Sequence, residues 1–83
     1  MWLDAAYKMH GMERRFVLEM KDLKGRVLAM GGLVEQAIDR ATRALQERDP
    51  KKFEEVHQLE RKINDAHIDI DKSCLEILAR LSP

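Results

Sequence analysis

The chain has 83 residues, 45% hydrophobic and 36% charged, and its fifteen basic residues balance fifteen acidic ones. This length holds one domain at most, and with zero net charge we do not expect a broad basic surface for nucleic acid, which leaves a local basic patch as the open alternative. With one cysteine, Cys74, and no apolar run of membrane-spanning length, the chain is not expected to form an intrachain disulfide or insert into a membrane, and we expect a cytoplasmic location.

Residues 1–11 show no clear period, and Gly11 separates them from the periodic part of the chain, so we expect an N-terminal extension before a domain at 12–83. From about 13 to 48, apolar residues recur three or four apart, which predicts one long helix. Three glycines interrupt it, and the sequence leaves open whether they bend the helix or admit a neighbouring backbone. The stripe comprises Phe16, Met20, Leu23, Val27, Met30, Val34, Ile38, Ala41 and Leu45.

The turn lies at residues 49–50. Proline disfavours helical geometry at the residue before it, whereas Asp49 as N-cap and Pro50 at the first helical position suit a new helix. The second helix is predicted from about 50 to 81, and Ser82-Pro83 is typical of a further helix start. The second stripe comprises Val56, Leu59, Ile63, Ala66, Ile70, Cys74, Ile77 and Leu81.

Two long stripes and a short join predict an all-α, antiparallel helical hairpin. Its apolar surface exceeds what two helices can cover, so we expect oligomerisation into a helical bundle, with homo-oligomer formation along the stripes. A second ridge containing Leu28, Ile68 and Leu75 points to another partner surface. The self-association residues are predicted to be Phe16, Met20, Leu23, Val27, Met30, Val34, Ile38, Leu45, Val56, Leu59, Ile63, Ile70, Cys74 and Ile77.

One polar row lies along the edge of the second stripe. Glu60, Asn64, His67 and Asp71 are spaced four, three and four apart, with His57 one turn earlier. Imidazole and carboxylate groups on a bundle can bind a divalent metal, so Glu60, His67 and Asp71 form a candidate metal site. The alternative is a solvated, salt-bridged flank, in keeping with the interspersed charges elsewhere on these helices.

The residues that catalysis requires are not arranged for it. Ser73 and Ser82 have no paired histidine and acid at plausible spacing, and no glycine-rich phosphate loop comes after a strand. Cys74 lies on the apolar stripe, where a thiol acts as a small core residue. We therefore predict that the chain is not an enzyme and has no organic cofactor.

The order of landmarks resembles the phosphate uptake regulator family, PhoU. The most specific part is the segment 30–36, MGGLVEQ, and the likeness covers nearly all of residues 14–83. It is also carried by Phe16, Glu19, Met20, Leu23, Val27, Ala41, Asp49, Val56, Ile63, Asn64, Ile70, Asp71, Cys74 and the segment 79–83.

This resemblance implies a cytoplasmic regulator of phosphate uptake and phosphate-starvation signalling, which contacts the phosphate-specific ABC transporter and its sensor kinase. It also implies two repeats of a three-helix bundle, of which this chain resembles the first two helices. The family's acidic metal motif belongs to the third helix and has no counterpart here. The chain departs from the family at His67, where Glu is common, at Glu60, where Asp is common, and at Ser82, where Gln is usual.

Three functions are therefore compared. The leading one is a truncated PhoU-like regulator that acts by protein–protein contacts. The alternatives are a self-assembling structural hairpin without a phosphate role and a metal-binding helical bundle.

Overall fold

The computed structural model describes residues 11–82, which form two long helices and no strand. Helix α1 spans Gly11–Glu47 and helix α2 spans Pro50–Leu81. They pack side by side into a hairpin whose extents are 57 × 23 × 14 Å. The predicted all-α antiparallel hairpin is confirmed. Helix α1 begins before the expected residue 13 and ends one residue before the expected residue 48.

The turn forms by the chemistry its sequence predicts. The Asp49 side chain accepts a hydrogen bond from the Lys51 backbone N–H at 3.0 Å, and Pro50 occupies the first turn of α2. This N-cap satisfies one of the free donors at the helix start. Arg48 has a φ of 52°, the left-handed conformation with which many helices end. The chain thus reverses direction over two residues, which holds the helices against each other.

The interface between the helices is narrow. Leu23, Ile70 and Ile77 form a buried cluster, against which partly buried residues pack. Ala44, 0% exposed, and Leu59 are also buried. Within residues 14–82 these five are the buried apolar side chains, so a large share of the apolar surface remains in solvent. The partly buried residues packed on the cluster are Phe16, Met30 and Cys74.

Gly25, Gly31 and Gly32 lie on the exposed or partly exposed surface of α1. A Cβ added at Gly25, Gly31 or Gly32 would meet no other atom within 4 Å, apart from its own local backbone. Helix α1 continues through all three without a break. No backbone within the described hairpin approaches them, so the space beside each glycine is free for a neighbour outside the hairpin.

The limits of the described region affect two sequence-based expectations. The N-terminal extension predicted at 1–11 falls outside it except for Gly11, which is the first residue of α1. Ser82 caps α2 by donating its backbone N–H to the Leu78 carbonyl at 3.0 Å, and Pro83 lies outside the described residues. No helix within residues 11–82 combines the length and the apolar character that crossing a membrane requires.

The narrow interface predicts a sharp contrast between two positions on α2. Ile77→Ala removes a side chain that is 5% exposed and is expected to lower the free energy of unfolding by about 2 kcal/mol or more. Leu75→Ala, at a side chain that is 67% exposed, is expected to change it by less than about 0.5 kcal/mol. Urea unfolding at one protein concentration measures both, and equal losses would contradict the described packing.

Candidate interaction surface

One side of the hairpin is closed by polar pairs between the helices, and we call it the sealed edge. Arg26 Nη1 donates to Ser73 Oγ at 3.2 Å, and Arg40 Nε lies 3.9 Å from a Glu55 carboxylate oxygen. Ion pairs at the two ends complete this edge. They join Glu19 to Arg80 and Glu47 to Lys52.

The Glu19–Arg80 pair is the least exposed ion pair of the described hairpin, at 27% and 23% side-chain exposure. The Arg15 guanidinium also lies 3.2 Å from the Glu19 carboxylate. Two guanidinium groups therefore share one carboxylate at the open end of the hairpin. Because Glu19 and Arg80 are only partly solvated, their contact opposes fraying of the helix ends. Arg80 Nε is buried and makes no hydrogen bond within the described structure.

The opposite side of the helix pair is open. At about 100° per residue, Met20 and Val27 lie roughly 40° to 60° around α1 from buried Leu23, whereas Glu19 and Arg26 lie on the other side of it. Cys74 and Leu78 are displaced from Ile70 in the same rotational sense as Met20 from Leu23. In an antiparallel pair, residues rotated in the same sense from the contact line lie on the same side of the two helices. Arg26 and Ser73, both rotated in the opposite sense, accordingly meet on the sealed edge.

This open face carries a line of apolar residues on α1, from Met20 to Leu45, and apolar residues at both ends of α2. Exposure reaches 62% at Ile38 and 69% at Leu45. Such a long contiguous apolar surface, with polar residues behind it, is typical of an interaction site. Its apolar members are Met20, Val27, Val34, Ile38 and Leu45 on α1, and Phe53, Cys74, Leu78 and Leu81 on α2.

The middle of α2 contributes a polar row to the open face. His57 Nδ1 lies 3.5 Å from a Glu60 carboxylate oxygen, and His67 Nε2 lies 3.7 Å from an Asp71 carboxylate oxygen. All four side chains are exposed, as is Asn64 between them. The row therefore lies as two histidine–carboxylate pairs on either side of Asn64, facing away from the hairpin core.

The predicted metal site is only partly assembled by this geometry. His67 and Asp71 come together, but Glu60 pairs with His57 one turn away. Among residues 11–82, no three histidine, cysteine, aspartate or glutamate side chains are placed to hold one ion. Metal binding by Glu60, His67 and Asp71 stays a prediction.

The predicted self-association stripe divides between two surfaces. Nine of its residues are at least partly covered inside the hairpin, and five on α1 remain exposed. The exposed ones are Met20, Val27, Val34, Ile38 and Leu45. The covered ones are Phe16, Leu23, Met30, Val56, Leu59, Ile63, Ile70, Cys74 and Ile77.

Sequence reasoning missed two features of these surfaces. The first stripe omits Ala44, the most buried residue, although it lies four heptads after Phe16. The sealed edge was also missed, since its charges were expected to be solvated. Its signal was the seven-residue spacing of Glu19 and Arg26 on α1, matched by Ser73 and Arg80 on α2.

Comparison with known proteins gives a family match. Residues 27–83 match the PhoU domain family. A phosphate-specific transport system accessory protein PhoU homolog of Pseudomonas aeruginosa is 36% identical over 74 residues, covering 89% of this chain and 31% of the relative. The homolog of Aquifex aeolicus is 34% identical over 65 residues, covering 78% of this chain and 29% of the relative.

The PhoU protein of Escherichia coli is 29% identical over 69 residues, covering 83% of this chain and 29% of the relative. The chain thus spans about a third of the length of these curated relatives. No solved structure matches it.

The polar row yields a prediction for zinc. His67→Ala removes the only nitrogen ligand of the predicted set and is expected to abolish Zn²⁺ binding by Glu60, His67 and Asp71. Isothermal titration calorimetry of the purified protein measures the affinity, with Gln58→Ala as the exposed control on the same helix. Equal affinities of His67→Ala and the unsubstituted chain would remove the predicted site.

Proposed function

Because the chain belongs to the PhoU family, we propose that it regulates phosphate transport and phosphate-starvation signalling through protein–protein contacts. Its relatives are named as accessory proteins of the phosphate-specific transport system. The observation that carries the proposal is the combination of this family match with an apolar surface far larger than the hairpin covers. Such a surface suits binding rather than catalysis, and no enzymatic step is proposed.

The partners we propose are the phosphate-specific ABC transporter and its sensor kinase, met on the cytoplasmic side of the membrane. A hairpin of two rigid helices suits such contacts, because its side chains are held on fixed faces. Ile68 and Leu75 support this assignment. They lie one heptad apart on the outer side of α2, 53% and 67% exposed, away from the interface with α1.

We also propose that the chain self-associates. The five exposed members of the stripe on α1 are large apolar side chains in a continuous line, and each gains about 1.5 to 3 kcal/mol when fully buried. Burial of this line by a second copy completes a four-helix bundle.

A transporter-binding experiment tests the regulatory role. The double substitution Ile68→Glu and Leu75→Glu is expected to weaken binding to the purified, detergent-solubilised phosphate transporter by about tenfold or more, because each charge disrupts an apolar contact. Biolayer interferometry with the immobilised 83-residue chain measures the affinity.

The matched control adds the same two charges elsewhere. Gln46→Glu and Gln58→Glu alter exposed polar positions and are expected to leave transporter binding unchanged. Absence of transporter binding by the unsubstituted chain, with self-association intact, would instead favour the structural hairpin without a phosphate role.

A further inference from the structure

We draw no further inference here: the strongest candidate, the open face of the hairpin between the apolar row of α1 and the polar row of α2, is left uncovered by residues 11–82, and nothing in the structure shows what covers it.

Discussion

The structure depends on the narrow contact line between α1 and α2, where Leu23, Ile70 and Ile77 pack together. Two helices have only one such line, and each side of it must be covered by something else. On one side, polar pairs such as Arg26–Ser73 bridge the helices and fix their register. On the other side, no side-chain hydrogen bond or ion pair among the described residues joins the two helices. The hairpin therefore has a sealed edge and an open face, and its interactions with other chains depend on this difference.

The apolar stripe on each helix is wider than the interface between α1 and α2. Apolar spacing predicts two helices, their antiparallel packing and the need for further burial, because heptad spacing and a proline-marked turn are local properties. It does not predict which part of the stripe faces inward. Leu23 and Met20 lie three residues apart and have the same apolar character, yet Leu23 is buried and Met20 is exposed. Their difference is a rotation of about 60° about the helix, which only the position of the partner helix decides.

The same limit explains Ala44 and the sealed edge. Alanine gives a weak apolar signal, so the larger Leu45 dominates the sequence pattern, although Ala44 is the residue that the close helix approach near the turn buries completely. Charges such as Glu19 and Arg80 are 61 positions apart in sequence and become neighbours only when the hairpin closes. Periodicity identifies each helix face separately, whereas pairing between faces requires the register. The candidate site was therefore predictable as a set of residues, but not as a geometry.

Once the register of the two helices is known, the open face is seen to differ in chemistry along its two helices. It carries two rows of different chemistry, one aliphatic on α1 and one with histidine–carboxylate pairs on α2. Apolar burial alone would tolerate several orientations of a partner, because it is non-directional. The polar row penalises those that leave Glu60 or Asp71 facing aliphatic side chains.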